Sequence, residues 1–149
     1  PARPLGEFTL RLGHNGGTYT LEDLRGKWTL VFVPPDDCDE TCKRNIYHMR
    51  QVWAGLGREA HRVQRLLILR APAQWDVLRG FLENYPNMPV AFDADGALIN
   101  QIAHSEASLG VKIYLVDPLG NLMMAFPQTL DPRDMLKDLK KLLKISTIG

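Results

Sequence analysis

Cys38 and Cys42 are the residues of this sequence best suited to chemistry. They are its only two cysteines, and they bracket the run Cys38-Asp39-Glu40-Thr41-Cys42. A close pair of thiols can trade electrons as a dithiol–disulfide couple, hold a soft ion such as Cu(I) or Zn(II), or fill space as small apolar side chains. Two cysteines are too few for a disulfide-framework scaffold or for an all-cysteine zinc site. Cross-linking is not their purpose either, because a bridge over three residues constrains very little chain.

Their spacing decides where a helix must begin. Side chains four apart on a regular helix have Cβ atoms about 5–6 Å apart, whereas a disulfide wants about 3.5–4.5 Å. Direct oxidation therefore requires Cys38 to lie just before the helix proper. The same open spacing suits two thiolates around one soft ion. A helix N-terminus favours a thiolate through its unpaired N–H groups and dipole. Asp36, Asp37, Asp39 and Glu40 oppose that effect, and Lys43 and Arg44 partly offset them. Cys42 is in phase with the apolar stripe Ile46, Met49, Trp53 and Leu56. It is expected to be the less exposed sulfur, which makes Cys38 the exposed, attacking one.

The elements that must position this pair follow from periodicity. Phe8 to Leu12 alternates and meets the hairpin signal His14-Asn15-Gly16-Gly17, after which Thr18-Tyr19-Thr20 can pair back. Leu21 to Lys27 reads as a short turn. The continuous apolar run Trp28 to Val33 suits a strand buried on both faces and stops at Pro34-Pro35. A helix is predicted from about Cys38 or Thr41 to about Leu56, with Gly55 and Gly57 at its end. Val63 to Leu69 is a second buried strand and Trp75 to Tyr85 a second helix. A short strand, Val90 to Phe92, and a short helix, Ala97 to Ala103, come next. Ile113 to Val116 and Leu122 to Phe126 form a hairpin around Asp117-Pro118-Leu119-Gly120. A last helix runs from Pro132 to about Leu143. Strands alternating with helices predict one α/β domain over residues 1–149, a sheet covered on both faces.

Composition removes other classes. The chain has 149 residues, 45% of them hydrophobic, with 18 basic against 17 acidic side chains and a net charge of +1. Without a basic excess there is no electrostatic footprint for nucleic acid. Apolar stretches of about six residues are too short for a membrane span. The start, Pro1-Ala2-Arg3-Pro4, has no Met, which fits a domain freed from a signal or anchor. Among the four histidines, His104 could approach the cysteine turn and serve as a metal ligand. His14, His48 and His61 read as surface residues. Trp28, Trp53 and Trp75 read as core. Of Met123 and Met124, at most one can face a site, since adjacent strand residues point opposite ways.

With these segments placed, the chain resembles the Sco/SenC branch of the thioredoxin-fold superfamily. Gly26-Lys27-Trp28-Thr29-Leu30-Val31-Phe32 resembles the family's strand ahead of its C-x-x-x-C, and Cys38 and Cys42 occupy its two thiol positions. Ile113-Tyr114-Leu115-Val116-Asp117-Pro118-Leu119-Gly120 resembles its later hairpin. Two departures stand out. Asp39 occupies the place of the family's usual proline, and Leu109 falls where its copper-binding histidine is expected, five residues beyond His104.

The resemblance implies a thioredoxin-like fold, a central mixed sheet flanked by helices with an N-terminal hairpin. It also implies a role in assembling the copper centre of cytochrome c oxidase. In the first functional reading, Cys38 attacks a disulfide and Cys42 resolves the mixed disulfide. The client would be the oxidase subunit that carries the copper centre, or another copper or thiol assembly protein. In the second, Cys38 and Cys42 bind Cu(I), with His104 as a third ligand. In the third, the fold is a non-catalytic interaction module. Peroxidase chemistry would need an activating Arg, for which Arg44 is the close choice. By the same resemblance the protein is expected to be a monomer in the periplasm or the mitochondrial intermembrane space, tethered to the inner membrane by an N-terminal anchor.

Overall fold

Strand β4 (Trp28–Phe32) is buried at all five positions and sits near the middle of the sheet. Its side chains divide between two cores. Trp28, Leu30 and Phe32 face one, and Val31 enters the other. A run that is apolar on both faces can be covered only by layers on both sides. The computed structural model describes residues 2–103, 109–127 and 130–146.

Eight strands form one mixed sheet among the described residues. β4 pairs in parallel with β5 (Val63–Leu69), and β5 with β6 (Val90–Phe92). On the other side β4 pairs antiparallel with β7 (Lys112–Val116), which forms the expected hairpin with β8 (Asn121–Pro127). Asp117 shapes the turn, its Oδ1 accepting from the Leu119 and Asn121 amides at 3.0 and 2.9 Å. The N-terminal hairpin β2 (Thr9–Leu12) and β3 (Thr18–Thr20) extends the sheet beyond β6 in antiparallel sense. A two-residue strand, β1 (Arg3–Pro4), pairs with β8 at the opposite edge.

One face carries α2 (Glu40–Gly55), α3 (Pro72–Leu82) and α5 (Pro132–Ile145). α2 contributes Ile46, Met49 and Val52, and α5 contributes Met135, Leu139 and Leu143. The other face is covered by α1 (Leu21–Leu24), α4 (Ile99–Ile102) and the N-terminal segment. No helix among the described residues is long and apolar enough to cross a membrane.

Several boundaries differ from those read in sequence. Leu21 to Leu24 is one helical turn rather than a plain turn, started by a capping box in which Asp23 accepts from the Thr20 amide at 2.7 Å. The second helix begins at Pro72 and ends at Leu82, so Tyr85 lies beyond it. Pro72 starts it because its missing N–H is needless at a first helical position. On α2 it is Val52, 1% exposed, that reaches the core, while Trp53 is half-buried beside it. Trp28 is core as expected, and Trp75 is also only half-buried.

The layer over α2 predicts a specific loss. Leu139 is fully buried where α5 meets the sheet and α2. Leu139→Ala should lower stability by about 2–5 kcal/mol and the thermal midpoint by roughly 5–20 °C. A midpoint within about two degrees of the parent, followed by circular dichroism, would contradict this packing.

Candidate functional site

Helix α2 begins at Glu40, just beyond Cys38, as direct oxidation of the pair requires. Asp39 is its N-cap, with extended backbone, and its Oδ1 accepts from the Cys42 amide at 2.9 Å. Cys38 therefore sits one residue before the cap and Cys42 in the first turn. Freed from helical spacing, the two Cα atoms lie 5.1 Å apart and the sulfurs are joined in a disulfide. The cap also explains why an aspartate follows the first cysteine. It satisfies an amide that the first turn leaves without a helical partner.

Both cysteines belong to the core under α2. Cys38 is 6% exposed and Cys42 is 2% exposed. The expectation of an exposed Cys38 is thus corrected for the oxidised form. Bridged to Cys42, Cys38 lies in the same apolar cluster and is only slightly the more accessible. Asp36, Asp37, Asp39 and Glu40 stay exposed around it. Three of these carboxylates are engaged: Asp39 by the Cys42 amide, Asp36 by Arg70 at 2.6 Å, and Glu40 by Lys43 at 3.9 Å.

Polar side chains not singled out in sequence hold the loop ahead of Cys38. Gln74, 4% exposed, donates from Nε2 to the Pro34 and Pro35 carbonyls at 3.3 and 3.1 Å. Its Oε1 accepts from the Arg70 amide at 2.6 Å. Asn45, 3% exposed, donates to the Gly110 carbonyl at 3.0 Å, and the Gly110 amide donates to Val33 at 2.8 Å. Gly110 has φ of +76°, and a Cβ there would come within 2.4 Å of Pro35. So the segment before β7 is pressed against the cysteine loop. The signals were faint: Asn45 lies one turn after Cys42, and Gln74 is the third residue of a helix opened by Pro72.

His104, the candidate third ligand, lies outside the described residues. Leu109 is buried in the opposite core, with Val33 and Ala103. Met123 packs against the core that holds the cysteines, whereas Met124 is 38% exposed. His14 and His61 are exposed and Arg44 is exposed on α2. His48 is half-buried, and its pKa is held below the ordinary value by burial and by Arg44, with Asp131 opposing. Among the described residues no three His, Cys, Asp or Glu side chains gather as a metal site. What remains at the strand–helix turn is a disulfide able to accept two electrons and, once reduced to the dithiol, to return them or to offer two soft ligands.

Fold and site together define a thioredoxin-like protein with a disulfide at the start of its first long helix. The profile of the family described as "Transmembrane-like, thioredoxin-like, C-terminal domain" matches residues 28–146, and the chain belongs to that family. No curated protein matches the sequence. Solved structures of similar fold include yeast Sco1 with copper bound, at 19% identity and a TM-score of 0.79, over 97% of this chain and 94% of that one. Bradyrhizobium japonicum ScoI with copper bound is 24% identical, with a TM-score of 0.69, over 93% and 99%. BsSco, a Sco-family cytochrome c oxidase assembly protein in which a disulfide switch was identified, is 20% identical, with a TM-score of 0.69, over 96% and 95%. The expected Sco-like, thioredoxin-like fold is the fold observed.

The loop clamp makes its own prediction. Gln74→Ala strands two carbonyls and one amide, so urea unfolding of the oxidised protein should show a loss of about 1–3 kcal/mol. A change under about half a kcal/mol, the level of a surface substitution, would mean Gln74 does not hold the loop.

Proposed function

We propose that this protein is a thiol–disulfide redox factor acting on the cysteines of the cytochrome c oxidase copper centre. The observation that carries the proposal is the bridge between Cys38 and Cys42, formed across the start of α2 with the helix cap intact. In the reducing direction, the Cys38 thiolate attacks one sulfur of the client disulfide. The other client sulfur leaves as a thiolate and takes a proton. Cys42, deprotonated in turn, attacks the Cys38 sulfur and releases the second client thiol. Two electrons pass from the dithiol to the client, and Cys38–Cys42 becomes the disulfide seen here. An external dithiol reductant then resets the pair.

The acidic collar of Asp36, Asp37, Asp39 and Glu40 bears on this cycle. Negative neighbours disfavour a thiolate, and with it the reduced, ionised state. The client specificity rests on the likeness to Sco folds, one of them described as belonging to oxidase assembly proteins. A disulfide also persists best in an oxidising compartment. That supports the reading that the protein works in the periplasm or intermembrane space, and the inner-membrane anchor is proposed from the Sco resemblance alone.

The test is an equilibrium titration against glutathione or dithiothreitol. The pair should pass between states in one two-electron step, and Cys42→Ser should trap a mixed disulfide on Cys38. A pair that stays reduced across the series would sink the proposal.

A second reading is favoured by the two copper-bound Sco structures of like fold. In it Cu(I) is cargo, held by Cys38 and Cys42 with His104 as a third ligand. Thiolates prefer Cu(I), so the donor set fits. Under this reading the reduced protein takes up one Cu(I) per chain against a competing chelator. Cys38→Ser abolishes uptake and His104→Ala weakens it. No uptake under anaerobic conditions rules it out.

A further inference from the structure

Helix α5 carries its cations on one side. Arg133, Lys137, Lys140, Lys141 and Lys144 are every basic side chain of the helix, and all are exposed. A rotation of about 100° per residue places them within one arc of about 100°. Asp134 and Asp138 lie beyond one margin of that arc, and Met135, Leu139 and Leu143 face the core from the opposite side. From Arg133 to Lys144 the row spans about 17 Å of the axis. Arg133 pairs with the cap residue Asp131 at 3.2 Å. Among the described residues none of the four lysines is paired with a carboxylate.

The row encloses an open hollow of about 390 Å³, lined by Arg133, Leu136, Lys137, Lys140, Lys141 and Lys144. Leu136 is its half-buried member and rests over Gly55 of α2, where an added Cβ would meet it at 2.7 Å. One turn beyond Lys141, Ile145 is 81% exposed, more than any other large apolar side chain among the described residues. A basic row with an apolar floor and an exposed isoleucine at its end fits an anionic partner, either an acidic protein face or a lipid leaflet. The residue types favour the leaflet. Protein interfaces are enriched in Arg and aromatic side chains and depleted in Lys. Here Lys dominates, and no aromatic side chain lines the hollow. A lysine is a hydrated point charge on a flexible stem, suited to a diffuse field rather than to a fixed fork. An anionic bilayer surface supplies such a field, and lysine stems can lie along apolar surface while the ammonium stays in water.

We infer that the outer face of α5 is a docking surface for an anionic lipid leaflet, contacted by Arg133, Lys137, Lys140, Lys141 and Lys144 and extended by Ile145. The apolar face of α5 stays in the core, so the contact is peripheral and sensitive to salt. Its orientation follows from the fold. Arg62 donates to the Leu143 and Ser146 carbonyls at 3.0 and 3.1 Å. Val63, next in the chain, pairs with Trp28, the first residue of β4. The lysine-rich end of α5 therefore lies where β4 begins, whereas Cys38 follows the other end of that strand. A leaflet held there leaves the disulfide at the far end of the molecule. The inference does not depend on the redox proposal or on an N-terminal anchor.

The test is flotation of the oxidised protein with two kinds of vesicle, one of phosphatidylcholine alone and one of equal parts phosphatidylcholine and phosphatidylglycerol. Binding to the second and not to the first is expected. It should fall away as added salt shortens the Debye length from about 10 Å to about 3 Å. Lys140→Gln and Lys141→Gln, both exposed changes, should each weaken binding about fivefold, and the double variant about 25-fold. Arg79→Gln removes one exposed charge from α3 and should change binding less than about twofold, which separates a local surface from net charge. Polyglutamate serves as the acidic-protein probe. Equal binding to both vesicles, binding to neither, or equal losses from Arg79→Gln and Lys140→Gln would overturn the inference. Saturable binding of polyglutamate without binding to phosphatidylglycerol vesicles would overturn it in favour of an acidic protein partner.

Discussion

The hydrogen bond from the Cys42 amide to the Asp39 carboxylate fixes where α2 begins, and the dithiol depends on that point. If the helix began one turn earlier, Cys38 and Cys42 would take regular helical spacing, too wide for a bridge. With Asp39 as cap, Cys38 belongs to the incoming loop and its backbone can turn toward Cys42. The loop is then held from three directions. Gln74 binds the Pro34 and Pro35 carbonyls, Arg70 pairs with Asp36, and Gly110 lies against Pro35 while Asn45 grips the Gly110 carbonyl. The sulfur–sulfur bond thus sits in a loop braced on several sides.

That frame rests on a sheet buried on both sides. β4 delivers the cysteine loop from the centre of the sheet, and α2 leaves from it over a core shared with α3 and α5. Cys42, Ile46 and Met49 anchor the helix at the sulfur end, so the position of Cys42 is tied to the same core that stabilises the fold. The acidic side chains gather at the exposed rim of this arrangement, and the apolar contacts lie beneath.

Much of this was legible in the residues. The run Trp28 to Phe32 announced a strand covered twice, and the hairpin around Asp117 to Gly120 announced itself through its turn residues. The cysteine spacing said that a disulfide could form only if the helix started after Cys38, and left a start at Cys38 or Thr41 open. Other features were hidden for physical reasons. β1 is two residues long and exists only because β8 offers a free edge. Asn45 and Gln74 are polar side chains at buried positions, and their value lies in backbone groups far away in sequence. Arg65 interrupts an apolar strand, yet only the fold shows Trp53 above it. The burial of Cys38 lies outside any helical stripe, because the residue precedes the helix, so no periodicity encodes it.

The central claim is that Cys38 and Cys42 exchange electrons with the cysteines of an oxidase copper centre. It is tested most directly by mixing the reduced protein with the isolated, oxidised copper-centre domain of cytochrome c oxidase, without metal. Acid quenching, thiol alkylation and mass measurement then follow both partners over time. Two alkylatable thiols should appear on the oxidase domain as two disappear from this protein, in equal amounts, with the new bridge mapped to Cys38–Cys42. A client that stays oxidised while Cys38 and Cys42 stay reduced would contradict the claim.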